Sequence, residues 1–261
     1  MFPAPAYVIS DAHLGFATRE VELSLIRFLK HLRGRAGSLV INGDLFEFWF
    51  EWRRVIPRGT FRVLAALADL RDSGVPILMV AGNHECWGGD VLRDDVGIEF
   101  HVDPWEGDLA GWRTRVEHGD GLRGKEDRGY RAIKHVLRNR LAIKVFRWIH
   151  PDLGSWLATR SSHASRTYTA RDGGAGLREV AGRRLADGHL DLLVFGHSHV
   201  AELRQFGTAV YANAGSWLDK PTFLRLTPER IELRQWDEGA DASGEGVNLH
   251  RFDRVAKKTL P

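Results

Sequence analysis

Five short segments of this 261-residue chain carry Asp, Asn or His, whose oxygen and nitrogen atoms are the donors expected of a metal site without thiolates. Side chains two residues apart on an extended chain point to the same side. Asp11 and His13 can therefore aim at one point, and so can His197 and His199. The segments are Asp11-Ala12-His13, Gly43-Asp44, Gly82-Asn83-His84-Glu85, His118-Gly119-Asp120 and Gly196-His197-Ser198-His199.

The segments suit different parts of such a site. The carboxylate of Asp44 can bridge two ions, the amide oxygen of Asn83 suits a hard cation, and His84 can face a substrate. Any one segment taken alone is more often an ordinary turn or a solvated loop. Their occurrence together in one chain predicts a shared site.

Short apolar runs alternate with helical patterns around these segments. Strands are predicted at residues 7–10, 39–41 and 77–80, with helices at 18–32 and 60–70 between them. Strands joined by helices form a parallel sheet, and ligands bind at the carboxyl edge of such a sheet. We expect the five segments to meet at that edge. Further strands are predicted at 113–117, 192–195, 209–211, 223–226 and 231–233.

The order of the segments, D-x-H, G-D, G-N-H-E, H-G-D and G-H-S-H, resembles the calcineurin-like metallophosphoesterase superfamily over residues 11–199. The resemblance implies an α/β fold, a four-layer α/β/β/α sandwich in which two sheets are flanked by helices. It also implies a dinuclear metal site and a metal-dependent hydrolase of phosphoric esters or pyrophosphates.

The same resemblance implies roles for individual residues. Asp44 would bridge the two ions. His84, which is not a ligand, would contact the phosphoryl group and protonate the leaving oxygen. The two divalent ions would be Mn²⁺, with Fe or Zn²⁺ as alternatives. The first ion would be bound by Asp11, His13, Asp44 and His199, and the second by Asp44, Asn83, His118 and His197.

Finer features resemble the family of UDP-2,3-diacylglucosamine pyrophosphatases of lipid A biosynthesis. These features are residues 45–50 after the second segment, residues 126–131 after the fourth, and a basic helix predicted at 127–149. The resemblance implies hydrolysis of the nucleotide lipid to UMP and 2,3-diacylglucosamine 1-phosphate. This chain departs from some members, which have Arg where His84 stands and Asp where Glu85 stands.

That family carries a helical lid insert, which corresponds to about residues 121–189 here. Within it, residues 121–184 hold 15 Lys and Arg against 5 Asp and Glu, beside an apolar stripe that suits acyl chains. The alternative is an ordinary amphipathic helix on the core with a solvated basic face. By the family pattern the substrate would be contacted by Asp127, Tyr130, Ser162 and Arg166.

Composition narrows the class of protein. The single cysteine, Cys86, excludes an internal disulfide and a cysteine-rich zinc site. A net charge of +3 does not indicate nucleic acid as a partner. With no signal peptide or bilayer-spanning apolar run, we expect a cytoplasmic protein, with peripheral contact with the inner membrane left open. We expect one metallophosphoesterase domain over residues 1–240, and a poorly ordered tail at 241–261.

Two other functions remain open on the sequence. A metallophosphoesterase acting on another phosphodiester or phosphomonoester would use the same site, and assays with a lipid-free pyrophosphate would separate the two. A non-catalytic scaffold that keeps the fold would be expected to have lost ligands, and metal analysis would identify it.

Overall fold

Two sheets organise the computed structural model, which describes residues 1–124, 127, 131, 134, 138–156, 172–237 and 246–254. The larger sheet consists of β1 Ala6–Ile9, β2 Ser38–Asn42, β3 Ile77–Val80, β4 Glu99–His101, β10 Thr222–Thr227, β11 Arg230–Gln235 and β12 Val247–Asp253. Its strand order is β12-β11-β10-β1-β2-β3-β4. Strands β1 to β4 are parallel, and β10 to β12 continue the sheet antiparallel from β1.

The smaller sheet consists of β5 Trp105–Leu109, β6 Trp112–Val116, β7 Leu192–Phe195, β8 Glu202–Phe206 and β9 Ala209–Asn213. Its order is β5-β6-β7-β9-β8. The central strands β6, β7 and β9 are parallel, while β5 and β8 pair antiparallel at its edges. Parallel strands in both sheets therefore deliver their carboxyl ends to a common edge of each sheet.

Four α-helices lie wholly within the described residues: α1 Arg19–Leu32, α2 Phe61–Asp72, α3 Arg140–Phe146 and α4 Ala175–Leu185. Residues 151–156 are also helical. A 3₁₀ turn at Arg58–Thr60 and a π-helical turn at Val91–Asp95 lie in the connections. The buried residues of α1 recur every three or four positions, as in Leu25, Phe28 and Leu32, so one face packs inward. None of the described helices combines the length and apolar composition needed to cross a bilayer.

The layers follow from alternation along the strands. In β1, Tyr7 and Ile9 pack with α1 and α2 on the outer face of the larger sheet, while Val8 packs between the sheets. In β7, Val194 faces the gap between the sheets and Phe195 packs with α4 on the other side. Strands buried on both faces are continuously apolar, which is why these runs stand out in the sequence. The predicted four-layer α/β/β/α sandwich is confirmed.

The helix predicted over 127–149 is wrong as one continuous element. Asn139 has an extended backbone, with φ −74° and ψ 123°, and α3 begins directly after it. Its side-chain oxygen accepts hydrogen bonds from the N–H groups of Leu141 and Ala142, at 2.8 and 3.4 Å. An Asn in this position satisfies the free donors of a first helical turn, so it starts a new helix.

The expected poorly ordered tail is wrong for Val247–Asp253, which form β12. This strand is mostly exposed and contains no apolar run from which it could be predicted. Antiparallel main-chain pairing with β11 holds it in the sheet. Arg254 continues the attachment, because its backbone N–H donates to Glu229 O at 2.7 Å and its guanidinium lies 4.2 Å from the ring centroid of Trp112.

Helix α4 lies within the segment predicted as a lid insert, yet it is part of the sandwich. Leu177, Ala181 and Leu185 are buried against the outer face of the smaller sheet. The last part of residues 121–189 therefore forms the fourth layer of the fold.

Candidate metal centre

The five segments identified in the sequence each follow a strand, and their side chains meet at one rim of the sandwich. Strands β1, β2 and β3 contribute the first three segments, and β6 and β7 the last two. Within each of three groups, one ligand atom per residue lies within 4.8 Å of the others. The groups are Asp11, His13 and His199; His13, Asp44 and His84; and Asp44, His118 and His197. Shared members join the three groups into one cluster.

Asp44 lies at the middle of this cluster. Its Oδ2 atom is 3.2 Å from His118 Nε2, 3.7 Å from His84 Nε2 and 3.9 Å from His13 Nε2. A carboxylate oxygen approached by three imidazoles from different loops has the position required of a bridging ligand.

A second focus lies between the first and last segments. His199 Nε2 is 3.4 Å from Asp11 Oδ1 and 3.3 Å from His13 Nε2. The backbone N–H of His197 donates to Asp11 Oδ2 at 3.1 Å, which ties the loop after β7 to the loop after β1.

The imidazoles are oriented through their Nδ1 atoms. His13 Nδ1 lies 3.1 Å from Glu47 Oε2, and His199 Nδ1 lies 3.0 Å from Asp219 Oδ2. His118 Nδ1 donates to the carbonyl of Asn42 at 2.8 Å. A ring that donates from Nδ1 directs the lone pair of Nε2 at the centre, as metal-binding histidines do.

His84 is oriented in the same way. Its Nδ1 donates to the backbone carbonyl of Glu47 at 2.6 Å, and its own backbone N–H donates to Asp44 Oδ1 at 3.2 Å. Nε2 of His84 is therefore the atom that faces the cluster.

Backbone conformations that L-residues rarely adopt are concentrated in this rim. Left-handed φ angles cost energy for residues with a side chain, and they recur at functional sites where the surrounding structure enforces them. Five candidate ligands have such angles: Asp11 (53°), His13 (46°), Asp44 (51°), His197 (62°) and His199 (57°).

Gly82 shows how closely the loops approach one another. A Cβ at Gly82 would lie 2.1 Å from Asp44 Oδ1 and 2.8 Å from Asp44 N. Only glycine leaves room for the Asp44 carboxylate at this contact.

Glu85 is fully buried and fastens these two loops together. Its Oε2 accepts hydrogen bonds from Asp44 N–H at 2.8 Å and from Gly82 N–H at 3.2 Å, and its Oε1 accepts from Phe46 N–H at 2.7 Å. Burial, followed by the charge of Asp44, raises the pKa of Glu85 to about 8.

The buried carboxylate and imidazoles around Asp44 shift each other's protonation. Burial alone would raise the pKa of Asp44, but the charges of His118 and His84 outweigh it and hold that pKa well below its usual range. For His118, burial opposes the charged form, but the combined effect of the nearby carboxylates of Asp44, Asp11 and Asp120 outweighs it, and the pKa lies well above the usual value. Burial lowers the pKa of His13 and of His197 to about 4, so these two rings are neutral at pH 7.

The pKa of His199 is shifted in the opposite direction to that of its neighbour His13. Burial opposes its charge, but the adjacent carboxylates of Asp11 and Asp219 together outweigh it and raise the pKa of His199 to about 10. Burial would raise the pKa of Asp11, but the combined effect of the adjacent His199 and His118 outweighs it and lowers that pKa.

The atoms that lack hydrogen bonds show that this rim fits divalent cations. Among the described residues, Asp11 Oδ1, Asn83 Oδ1 and His118 Nε2 are buried and have no hydrogen-bond partner. Buried polar atoms are normally satisfied, so these atoms call for a ligand. The 3.3 Å approach of His13 Nε2 to His199 Nε2 likewise requires a cation or a proton between two lone pairs. This set of oxygen and nitrogen donors could hold divalent metals such as Mn²⁺, Fe or Zn²⁺.

The predicted substrate contacts cannot be compared as a group. Tyr130, Ser162 and Arg166 lie outside the described residues. Asp127 is described and buried, and its carboxylate is occupied by Arg123: Oδ1 accepts from Nε and Nη2 at 3.1 and 2.8 Å, and Oδ2 accepts from the backbone N–H at 2.9 Å.

Sequence reasoning missed three acidic residues that support the cluster. Glu47 and Asp219 orient imidazoles, and Glu85 joins two loops. The only signal for Glu47 was a charged residue inside the apolar run 45–50. Asp219 gave no signal, because it follows a strand far from the five segments along the chain.

The model of the calcineurin-like phosphoesterases matches residues 4–201, most of the chain, including all five segments. The chain belongs to the calcineurin-like phosphoesterase family. The predicted family and the predicted hydrolase activity are thereby confirmed, and the arrangement of Asp and His described above is compatible with a metal-dependent phosphoesterase.

Several similar proteins within this family carry the name UDP-2,3-diacylglucosamine hydrolase. One from Pseudomonas fluorescens is 30% identical over 254 residues, which cover 95% of each chain. One from Neisseria meningitidis serogroup B is 30% identical over 71% of this chain and 81% of its own length. One from Porphyromonas gingivalis is 37% identical over 164 residues, or 61% of this chain, and the match spans 63% of that relative.

Solved structures of similar fold are more distant in sequence. A phosphoesterase from E. coli, Yfce, is 16% identical with a TM-score of 0.46 and covers 95% of this chain and 97% of its own. Vacuolar protein sorting 29 from Cryptosporidium parvum is 13% identical with a TM-score of 0.49 and covers 97% and 100%.

Proposed function

We propose that this phosphoesterase hydrolyses the pyrophosphate bond of UDP-2,3-diacylglucosamine, releasing UMP and 2,3-diacylglucosamine 1-phosphate. The observation that carries the proposal is the alignment over 95% of both chains with the Pseudomonas fluorescens UDP-2,3-diacylglucosamine hydrolase. The relatives from Neisseria and Porphyromonas with the same name add to it.

We assign the cation-binding roles by the family pattern. Asp11, His13, Asp44 and His199 would bind one divalent ion, and Asp44, Asn83, His118 and His197 the other, with Mn²⁺ as the expected metal. The 4.8 Å clusters and the unsatisfied buried atoms support this assignment. A bound pair of divalent cations supplies a hydroxide nucleophile at neutral pH and neutralises charge on phosphoryl oxygens.

His84 would act on the leaving group. Its Nδ1 proton is fixed on the Glu47 carbonyl, so any further proton is held at Nε2, which faces the cluster. A donor in that position can hydrogen-bond a phosphoryl oxygen and protonate the departing oxygen.

The exposed apolar side chains of the insert support a lipid substrate. Leu141 and Val145 lie one turn apart on α3, and Trp148, Leu153 and Trp156 follow, all exposed. Contiguous exposed apolar residues on a described helix are typical of a surface that binds lipid or protein. We further propose that the protein binds peripherally to the cytoplasmic face of the inner membrane, where these side chains would contact acyl chains.

The test is a comparison of substrates with the purified, Mn²⁺-loaded protein. We expect UMP from UDP-2,3-diacylglucosamine with a kcat/KM at least about tenfold above that for UDP-N-acetylglucosamine, because only the former offers acyl chains to bind. His84→Ala should lower the rate with both, and Lys30→Ala, an exposed substitution on α1, serves as the control.

Other outcomes distinguish the alternatives. Cleavage of bis-p-nitrophenyl phosphate alone would refute the nucleotide lipid as substrate and leave a phosphodiesterase. A protein that retains no transition metal after purification and reloading, and hydrolyses nothing, would be a scaffold with this fold.

A further inference from the structure

Four charged residues at the start of the insert have the spacing of one helical face. Asp127, Arg131, Lys134 and Arg138 are four, three and four positions apart. The N–H of Arg131 donates to the Asp127 carbonyl, and that of Arg138 to the Lys134 carbonyl, each at 2.9 Å, which is the α-helical pattern. The described side chains on this face all contact the body of the protein through charged groups.

Lys134 contacts the loop that carries His118. Its Nζ lies 2.8 Å from Asp120 Oδ2 and donates to the Asp120 carbonyl at 3.2 Å. Asp120 is buried and stands two positions after His118, so Lys134 joins the insert to the segment after β6. A buried carboxylate requires a partner of opposite charge, and Lys134 supplies it from outside that loop.

Arg131 binds the same loop one turn earlier. Its guanidinium donates to the carbonyls of Arg123 and Gly124, each at 2.6 Å. Arg123 in turn is paired with Asp127, and its Nη1 is 3.7 Å from Asp172 Oδ1, on the segment that leads into α4. The two ends of the insert are thus linked to the loop after β6 and to each other.

The far part of the insert has an independent anchor. Phe146, at the end of α3, lies 4.8 Å from Phe50 and 4.9 Å from Trp87, measured between ring centroids. Trp52 Nε1 donates to the Ile149 carbonyl at 3.1 Å. These contacts involve the loops after Asp44 and His84, so loss of Lys134 alone would leave the insert attached.

From these contacts we propose that Lys134 is a positioning residue for the substrate. Through its ion pair with Asp120, Lys134 attaches the beginning of the insert to the loop that carries His118. This attachment keeps the exposed apolar face of α3 in a fixed position relative to the metal centre. A substrate with acyl chains must contact the apolar face of α3 and the metal centre at once, whereas a small phosphodiester contacts only the metal centre. The inference therefore rests on the proposed function and adds a residue to it.

The experiment compares Lys134→Ala, Lys134→Arg and, as an exposed control on α1, Lys30→Ala in the full Mn²⁺-loaded chain. We expect Lys134→Ala to raise KM for UDP-2,3-diacylglucosamine at least tenfold while kcat falls less than threefold. With bis-p-nitrophenyl phosphate, kcat/KM should change less than threefold. Lys134→Arg should restore the KM, and Lys30→Ala should resemble the parent.

Hydrogen–deuterium exchange of the same variants gives a readout that needs no substrate. Exchange of the Arg131 and Arg138 amides, which donate to the Asp127 and Lys134 carbonyls, should be at least tenfold faster in Lys134→Ala than in the parent, with bound metal unchanged. Unchanged exchange there, or an equal loss of activity towards both substrates, overturns the proposal. If the parent chain does not cleave the nucleotide lipid, the proposed function fails, while exchange and bis-p-nitrophenyl phosphate still decide the role of Lys134.

Discussion

Asp44 Oδ2 lies between 3.2 and 3.9 Å from nitrogen atoms of three imidazoles that come from three different loops. Replacing Asp44 by Ala removes the carboxylate shared by both halves of the cluster. We expect bound metal and hydrolysis of bis-p-nitrophenyl phosphate to be lost together, the latter at least about a hundredfold, since bound metal contributes several kcal/mol to such reactions. Metal analysis and activity on one preparation measure both, and Asp253→Ala, at an exposed sheet edge, is the control. Full activity without Asp44 would refute the site.

Glu47 tests whether the carboxylate behind an imidazole matters. Glu47→Gln keeps the size of the side chain at His13 Nδ1 but removes its charge, which makes His13 a weaker donor. We expect metal affinity to fall about 10- to 100-fold, as for other outer-shell partners of metal-binding histidines. Competition with a fluorescent chelator measures it, and Glu106→Gln, exposed on β5, is the control. Equal affinities for the two variants would contradict the prediction.

The pKa shifts predict how metal binding depends on pH. Because the pKa of His199 is raised to about 10 and that of His118 lies well above its usual value, both rings hold protons near pH 7 that a bound cation must displace. His13 and His197, with pKa values of about 4, have none to lose. Affinity should therefore rise with pH between 6 and 8, with about two protons released per chain loaded.

Isothermal titration calorimetry with Mn²⁺ in buffers of different ionisation enthalpy counts the protons released. Uptake of protons, or an affinity that falls as the pH rises, would contradict the assignment. The Asp44→Ala variant should show no comparable release.

The candidate ligands could be predicted from the sequence because each lies in a short motif beside a strand. Their supporting residues could not. Glu47 acts on His13, 34 positions away along the chain, and Asp219 acts on His199 from the loop after β9. Contacts of this kind are created by the packing of loops and leave no local pattern.

The close approach of the loops after β2 and β3 gives a further test of the metal centre. Gly82→Ala would introduce a Cβ only 2.1 Å from Asp44 Oδ1, so the carboxylate must move. We expect metal affinity to fall at least about tenfold, as when a ligand is displaced from its required geometry. Gly59→Ala, whose Cβ would meet nothing within 4 Å, is the matched control for the same chemical change. Measuring bound metal by chelator competition decides it, and retention by both variants would contradict the prediction.

Elements could be predicted from the sequence where both of their faces are buried. The strands at 77–80 and 192–195 were predicted with the bounds that the structure gives them, because each is an unbroken apolar run. The edge strands β4, β5 and β8 went unpredicted because exposed polar side chains alternate in them. Their pairing depends on main-chain partners that a local pattern does not contain.

The candidate metal centre joins the two sheets of the molecule. Asp11 follows a strand of the larger sheet, and it is bonded to the backbone N–H of His197, which follows a strand of the smaller one. His118, from the smaller sheet, donates to Asn42 at the end of β2. The donors therefore come together only when the sheets are packed against each other, so metal binding and folding are coupled.

Added metal should accordingly stabilise the entire fold. A ligand that binds only the folded state, present at 100 times its Kd, raises the free energy of unfolding by about 2.7 kcal/mol. We expect Mn²⁺ at that concentration to move the urea midpoint upward, relative to a chelated sample, followed by the fluorescence of the nine Trp. Asp44→Ala should show no such shift, because it lacks the carboxylate shared by both halves of the cluster. The urea midpoint of Asp253→Ala should move as that of the parent does. An unchanged midpoint in the parent chain would mean that Mn²⁺ does not bind the folded state in preference to the unfolded state, which would contradict the coupling of metal binding to folding.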